Sequence, residues 1–255
     1  MFPRLLPAAI KLRFSLPKLP SECAVCHSWP AQQVCQPCIA RFASPNKRCG
    51  LCALPLPVNL SSGLRDNPGL CIDCIRQPPP VDAMLVAVNY EFPWARLVSR
   101  YKFGNKPGWA GFFAARLMDA PGVACVFEAM KPADLVLPMP LSSARLEARG
   151  FNQAWQLAGE LASQSATRAT ADATLLLRVR DTRPQTELKR QARLANVEDA
   201  FQLDPLRAAD LAGRQVILID DVMTSGASLF SAARVLRAAG AARITAMAFA
   251  RTPAP

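Results

Sequence analysis

Two adjacent carboxylates, Asp220 and Asp221, lie between a run of four apolar residues (216–219) and a short loop rich in Thr, Ser and Gly (223–228). A loop of this kind, placed between a strand and a helix, offers backbone N–H groups to a phosphate, and the helix dipole favours the negative charge. The carboxylates cannot bind the phosphate themselves because like charges repel. They are therefore predicted to bind sugar hydroxyls or a metal ion beside it, as a ribose-phosphate ligand requires.

Four Cys-x-x-Cys pairs form a second group of residues whose side chains could bind metal ions. Two such pairs supply four thiolates, which complete a tetrahedral zinc site and leave no open position for catalysis. Eight cysteines therefore predict two structural zinc ions. Sequential pairing is preferred, with the first two pairs on one ion, although interleaved pairing stays open. The pairs are Cys23/Cys26, Cys35/Cys38, Cys49/Cys52 and Cys71/Cys74.

Other uses of these cysteines fit less well. Disulfide frameworks are typical of secreted domains, and the prolines and basic residues of the first 20 positions interrupt any signal-peptide core. A thioredoxin-like redox site needs one Cys-x-x-Cys pair, whereas haem attachment needs a following His. Only Cys26 is followed by one, His27, which is interpreted as a flanking polar residue. The remaining cysteine, Cys125, is expected to be a small buried apolar residue.

The composition is that of a globular protein, with 51% hydrophobic and 19% charged residues. No apolar run approaches the roughly 18 residues that span a membrane, so no membrane insertion and a cytoplasmic location are expected. The formal net charge of +11 is compatible with nucleic-acid contact and equally with simple solubility. Eight thiolates and two Zn²⁺ ions together would lower that charge by four.

Three consecutive prolines at positions 78–80 predict a stiff spacer between a cysteine-rich module, residues 1–80, and a second domain, residues 81–255. In the second domain, strand patterns (84–90, 135–137, 174–179, 215–219 and 244–249) are interspersed with helical ones (94–101, 109–118, 152–162 and a helix ending near Gly240). This pattern indicates an α/β fold with a mostly parallel sheet flanked by helices. Ligands of such sheets bind beyond the carboxyl ends of the strands, where Asp220 and Asp221 fall.

Competing interpretations of the acidic pair lack their partner motifs. An ATPase needs G-x-x-x-x-G-K-[ST], and the chain contains no Gly-Lys pair. A dinucleotide-binding domain needs G-x-G-x-x-G, which is also absent. The remaining alternative is that the two aspartates only cap the turn that follows them.

Residues 216–228 resemble the ribose-5-phosphate motif of type I phosphoribosyltransferases. Further segments resemble the ComF family of competence proteins, which also carries an N-terminal double zinc ribbon. These segments are residues 101–104, 136–141, Arg145, 149–154 and 183–186, followed by Arg193, Asn196, Ala200 and Phe201. The resemblance covers most of the chain, and it implies a type I phosphoribosyltransferase-like domain behind the zinc module.

The resemblance implies phosphoribosyl pyrophosphate as the ligand. Asp220 and Asp221 would hold its ribose hydroxyls, directly or through Mg²⁺, and are also the predicted catalytic residues. The loop after them would wrap the 5′-phosphate, although Ser225 and Ser228 stand where the family usually has Thr. The predicted loop residues are Val222, Met223, Thr224, Ser225, Gly226, Ala227 and Ser228.

The segment Pro138, Met139 and Pro140 corresponds to the pyrophosphate loop, with Arg145 and Arg149 as cations near it. Residues 183–196 would form a mobile flap, in which Lys189, Arg190 and Arg193 could screen the leaving group; a solvated helix face is the alternative for these three. The family implies a role in DNA uptake during natural transformation. The chain would act as a phosphoribosyltransferase or as a non-catalytic, ligand-sensing adaptor whose zinc ribbons bind single-stranded DNA or a helicase partner.

Overall fold

The computed structural model of the protein describes residues 20–57, 69–104, 108–165, 170–180 and 200–253. The helices are α1 (Gln36–Phe42), α2 (Ile72–Arg76), α3 (Trp94–Phe103), α4 (Trp109–Met118), α5 (Val123–Glu128), α6 (Ser143–Arg149), α7 (Gln153–Gln164) and α8 (Ala227–Ala238), with a short 3₁₀ helix (Ala208–Leu211). The strands are β1 (Ala83–Asn89), β2 (Leu135–Pro138), β3 (Thr170–Ala171), β4 (Leu176–Arg178), β5 (Phe201–Leu203), β6 (Gln215–Met223) and β7 (Arg243–Arg251).

Five strands form one sheet in the order β1-β7-β6-β2-β3, and every pair of neighbours in it is parallel. This confirms the predicted mostly parallel α/β fold. The central strands β6 and β7 contain the apolar runs 216–219 and 246–250, as expected of strands covered on both faces. The predicted strand 174–179 lies outside this sheet, because β4 pairs with β5 as a separate antiparallel ribbon.

Alternating residues of β6 enter two hydrophobic cores on opposite faces of the sheet. Val216 and Leu218 pack with the buried residues of α8, including the predicted Leu229, whereas Ile217 and Ile219 face the other way. That second core also contains apolar residues of α3, α4 and α7 and a group of packed aromatic rings. The period of two residues along a strand explains why one apolar run supplies both cores.

Two details of the helices differ from the sequence expectation. Cys125 is exposed, because α5 turns Val123 and Phe127 towards the core instead. Arg145 and Arg149 lie on a helix, α6, that the apolar periodicity did not predict, since none of its residues is buried. The predicted flap, residues 183–196, lies outside the described residues. In the part of the chain that is described, no helix combines the length and the apolar character needed to cross a membrane.

Candidate functional site

The acidic pair occupies a place where neighbouring strands differ in length. The pairing of β2 with β6 ends at Pro138 and Ile219, whereas the pairing of β6 with β7 continues to Met223 and Arg251. The strand therefore runs through the acidic pair, four residues beyond the predicted end at Ile219. Past that point β6 has no neighbour on its β2 side among the described residues, and a crevice opens at the carboxyl end of the sheet, where ligands of such folds bind.

A cavity of about 440 Å³ fills this crevice. It is lined by nine of the fourteen residues predicted to bind substrate: Met139, Pro140, Arg145, Arg149, Asp220, Asp221, Val222, Thr224 and Ser228. The other five, Pro138, Met223, Ser225, Gly226 and Ala227, lie in the backbone segments that support this lining. The structure thus brings together two parts of the chain, 138–149 and 220–228, that are separated by about 70 residues, although their roles toward a ligand stay predictions.

Asp220 and Asp221 are arranged so that their charges are only partly compensated. The Oδ1 atom of Asp220 accepts the backbone N–H of Asp221 at 2.8 Å, and Lys102 Nζ lies 3.0 Å from Asp221 Oδ1. Burial, and then the neighbouring Asp221 charge, raise the pKa of Asp220 to about 7, although Lys102 opposes the shift.

The second oxygen of Asp221 is the clearest sign that the pair fits a ligand. This Oδ2 atom is buried and lacks a hydrogen-bond partner among the described residues. A buried carboxylate oxygen without a partner costs free energy, which a sugar hydroxyl or a hard cation such as Mg²⁺ would recover. Asp220 and Asp221 therefore fit the oxygen-donor set that a divalent cation or a ribose requires.

The loop after β6 needs glycine at one position. Gly226 has a φ of +82°, and a Cβ atom there would lie 2.5 Å from Met223 Cε and 2.6 Å from the Phe230 ring. A side chain at this position would be strained by the positive φ and would have to displace Met223 and Phe230, so the turn favours glycine. Gly226 directly precedes α8, whose first-turn N–H groups have no intrahelical acceptor. Thr224 and Ser228 line the cavity beside them, which is the arrangement expected for binding a phosphate.

Two arginines, Arg145 and Arg149, add positive charge to the lining of the cavity. Arg149 Nη1 donates to Gln153 Oε1 at 3.0 Å, and its guanidinium stacks over the Phe103 ring at 5.1 Å. Burial lowers the pKa of Arg149, while the charges of Asp221 and Asp220 oppose that shift. Held this way, the guanidinium keeps its orientation, as binding of a phosphate oxygen pair requires.

The segment 149–154 has a structural explanation for each of its residue types. Gly150 ends α6 with a φ of +75°, and Phe151 packs against Tyr101 with ring centroids 5.8 Å apart. Asn152 caps α7 by accepting the N–H groups of Ala154 and Trp155. Its Nδ2 also donates to the Met139 carbonyl at 3.1 Å, which fixes the predicted pyrophosphate loop to the start of α7.

Sequence reasoning missed several residues that line the cavity: Tyr90, Lys102, Phe103, Leu141, Asn152, Gln153, Ala154 and Arg178. Lys102 matters most, because it is the cation in contact with the acidic pair. Lys102 belongs to segment 101–104, which carries part of the family resemblance. That resemblance was the signal from which Lys102 could have been predicted as a site residue. Arg178 lies on β4, directly before residues 181–199, and stacks over Phe201 of β5 at 5.4 Å.

The eight paired cysteines form two clusters. Cys23, Cys26, Cys35 and Cys38 make the first cluster, and Cys49, Cys52, Cys71 and Cys74 make the second, so the pairs combine in sequence order. In each cluster the sulfur atoms all lie within 4.8 Å of one another. The Sγ atoms of Cys26 and Cys35 are 3.6 Å apart, as are those of Cys52 and Cys71. Zn–S bonds of about 2.3 Å give a tetrahedron with edges of about 3.8 Å. Both clusters therefore suit structural zinc.

Comparison with known proteins agrees with this architecture. Residues 152–255 match the model of the phosphoribosyl transferase domain family. Competence protein F of Haemophilus influenzae is 32% identical over 185 residues, which cover 71% of this chain and 78% of that protein. This chain belongs to the ComF family of competence proteins. DNA utilization protein YhgH of Salmonella typhimurium is 28% identical over 220 residues, or 86% of this chain and 90% of that protein. Competence protein ComFC of Bacillus subtilis is 29% identical over 222 residues, which cover 84% of this chain and 81% of that protein.

Proposed function

We propose that this ComF-family protein binds phosphoribosyl pyrophosphate together with Mg²⁺ in the cavity at the carboxyl end of β6. The observation that carries the proposal is the joint lining of one cavity by three complementary groups. Asp220 and Asp221 suit the ribose hydroxyls, the loop at Thr224 and Ser228 suits the 5′-phosphate, and Arg149 suits the pyrophosphate. No other ligand class discussed above needs all three at this spacing.

The same arrangement suits a phosphoribosyl transfer. A nitrogen nucleophile would form a bond to the anomeric carbon as the C1–O bond to pyrophosphate breaks, and the electron pair of that bond leaves with the pyrophosphate. Mg²⁺, when bound, would supply charge stabilisation to the leaving group. Asp220 and Asp221 would orient the ribose and stabilise the positive charge that develops on it, while Arg145 and Arg149 would bind the leaving group.

The cellular role we propose is in DNA uptake, in the cytoplasm. Its support is the similarity to proteins named for competence and DNA utilization. The segment 183–196, with Lys189, Arg190 and Arg193, lies outside the described residues, and its role as a flap stays a prediction from the family resemblance.

A second candidate is a non-catalytic adaptor that binds the same ligand and contacts single-stranded DNA or a helicase through its zinc ribbons. The observation that favours it is the exposed surface of the first ribbon. Trp29 there is 66% exposed, and an exposed indole offers a stacking face for a base. The net charge of +11 suits a nucleic-acid partner.

Calorimetry of the zinc-loaded chain with phosphoribosyl pyrophosphate and Mg²⁺ tests the ligand. The double variant Asp220→Asn/Asp221→Asn should bind at least about a hundredfold more weakly, because two charge-assisted contacts are lost. Asp210→Asn is the matched control, since it removes a carboxylate outside the cavity lining. Equal affinity of the wild type and the double variant, or no binding to either, would contradict the proposed site.

Release of pyrophosphate separates the two candidates. Wild-type protein that binds the ligand is mixed with a panel of nitrogen nucleophiles, including nucleobases and ammonia, and free pyrophosphate is measured. Release that depends on one acceptor and on the acidic pair supports the transferase. Tight binding without release across the panel supports the adaptor.

A further inference from the structure

One buried arginine joins the second cysteine cluster to the loop proposed to bind the 5′-phosphate. Arg251 is the last residue of β7 and only 6% exposed. Its Nε donates to the carbonyl of Cys52 at 2.9 Å. Its Nη1 donates to the carbonyl of Thr224 and, at 3.4 Å, to that of Met223. One planar guanidinium therefore bridges two segments that are about 170 residues apart in sequence.

The Cys52 carbonyl is held in place by the cluster itself. Cys52 is itself one of the four ligands, and it lies in a turn where Ala53 N–H donates to Cys49 O at 2.8 Å and Cys49 N–H to Leu54 O at 2.8 Å. Cys71 N–H donates to Cys49 Sγ at 3.3 Å. Because the turn closes around the sulfur atoms, a metal ion that fixes those sulfurs also fixes the carbonyl to which Arg251 donates.

A second guanidinium depends on the position of the same cysteine turn. Arg48 donates to the Ala53 carbonyl at 3.1 Å and to Asn89 Oδ1 at 2.8 Å. Arg48 and Arg251 donate to the carbonyls of two consecutive residues, Ala53 and Cys52. Two neighbouring cations are thus held by carbonyls of the same cysteine turn, and displacement of that turn would leave them without these acceptors.

The loop end of the bridge is the beginning of the proposed phosphate site. Met223 and Thr224 are the first residues of loop 223–228, and the Met223 carbonyl also accepts the Thr252 N–H at 2.9 Å. Thr224 lines the cavity. A shift of Arg251 would move these carbonyls and, with them, the N–H groups that are directed at the 5′-phosphate.

We propose that Arg251 is a positioning residue through which the second cysteine cluster sets the geometry of the phosphate loop. Metal loss from that cluster then weakens binding of the 5′-phosphate, and binding of a 5′-phosphate slows metal loss from it, because coupling between two sites is reciprocal. The inference rests on the proposed ligand, since it assumes that loop 223–228 binds the ribose phosphate.

Zinc release from the full, zinc-loaded chain tests the coupling without a mutation. An excess of a chromogenic chelator is added with and without ribose 5-phosphate, and the two equivalents of zinc are followed separately by their rates. Ribose 5-phosphate should slow the release of one equivalent about tenfold and leave the other unchanged. Equal slowing of both equivalents, which general stabilisation would produce, or of neither, despite calorimetric binding, overturns the proposal.

Variants then assign the coupling to Arg251. Arg251→Met should weaken ribose 5-phosphate binding about tenfold, remove its effect on zinc release and leave pyrophosphate binding unchanged, because the arginines that face pyrophosphate are not touched. Arg251→Lys should restore part of the affinity. Arg237→Met is the matched control, since Arg237 also donates to backbone carbonyls, but to those of Ala241 and Ala242 rather than to the cysteine turn and loop 223–228.

The outcomes separate this inference from the ligand proposal. If wild-type protein fails to bind ribose 5-phosphate, the proposed function is wrong. The bridge is then still tested, because Arg251→Met must accelerate release of one zinc equivalent and speed amide exchange in loop 223–228 relative to Arg237→Met. If both rates match those of the control while binding is intact in the wild type, Arg251 does not couple the two sites.

Discussion

The two cysteine clusters share one local design and differ in what surrounds them. In both, the second cysteine of the first pair is followed by a residue with positive φ, His27 at 63° and Ala53 at 54°. In both, the third ligand directly precedes a short helix, and its N–H donates to the first ligand's sulfur at 3.3 Å. The two clusters therefore share the same turn, the same short helix and the same four-sulfur arrangement.

The surroundings of the two clusters differ in how the first turn of each is bonded to the rest of the protein. Both clusters contribute cysteines to hydrophobic cores shared with the sheet domain, Cys23 and Cys38 to one core and Cys49, Cys52 and Cys74 to the other. His27 in the first cluster is exposed beside Glu22, whereas Ala53 in the second is fully buried and its carbonyl accepts Arg48. Met84 N–H of β1 also donates to the Gly50 carbonyl of the second cluster at 2.7 Å. Two sites of the same ligand type are thus attached to the fold in different ways.

The largest difference should appear on loss of one ligand from each cluster. Cys74→Ser and Cys38→Ser change equivalent positions, 5% and 7% exposed. Cys74→Ser should lower the free energy of unfolding by roughly 4 kcal/mol or more, since it removes a metal site whose turn is hydrogen-bonded to β1, Arg48 and Arg251. Cys38→Ser should expose mainly residues 20–44 to amide exchange and leave β6 and β7 protected. Equal loss of protection in the central strands would show that the two clusters stabilise the sheet to the same extent.

A smaller effect is expected where the first ribbon is attached. Trp94 Nε1 donates to the carbonyl of Phe42, the last residue of α1, at 2.7 Å. Trp94→Phe should cost about 1–2 kcal/mol, because it removes the bond and leaves a carbonyl unsatisfied. It should also speed amide exchange in α1. Trp109→Phe is the control, since it removes an indole from the same group of aromatic rings. Equal exchange rates for α1 in the two variants would contradict this attachment.

The smallest effect is expected for the stability of the protein at acidic pH. Asp82, where the second ribbon meets β1, accepts Ile244 N–H at 2.6 Å and Arg237 at 2.5 Å. Burial alone would raise the pKa of Asp82, but these two donors outweigh it and lower the pKa. The stabilisation that Asp82 gives the folded protein is therefore fully present above the pKa of this group in the unfolded chain, near 3.9. It is lost as the pH falls through the lower pKa that Asp82 has in the folded protein.

Asp82→Asn should consequently cost about 0.5 kcal/mol at pH 7, because the pair is partly exposed. The difference from wild type should shrink as the pH falls below about 4, when the wild-type carboxyl also becomes neutral. Chemical denaturation at a series of pH values measures it. A difference that stays constant down to pH 2 would mean that the charge of Asp82 does not contribute.

Part of the candidate site could be predicted because it lies in continuous segments. The acidic pair, the glycine loop and the start of α8 follow one another within about a dozen residues, so a strand–loop–helix pattern was enough to predict them. Lys102 could not be placed in the same way. It occupies the last turn of a helix more than a hundred residues upstream, and only the packing of α3 brings its amine to 3.0 Å from Asp221.

The sequence by itself determined the α/β class, the four Cys-x-x-Cys pairs that suit two zinc ions and the segment that carries the acidic pair, because each depends on local spacing or on the period of a single element. Only the tertiary structure decided that β6 extends beyond β2 to open the cavity, which pairs share a cluster, and that Arg251 touches both the cysteine turn and the phosphate loop. These features depend on which distant segments meet, and that is set by the packing of the whole sheet rather than by any one stretch of residues.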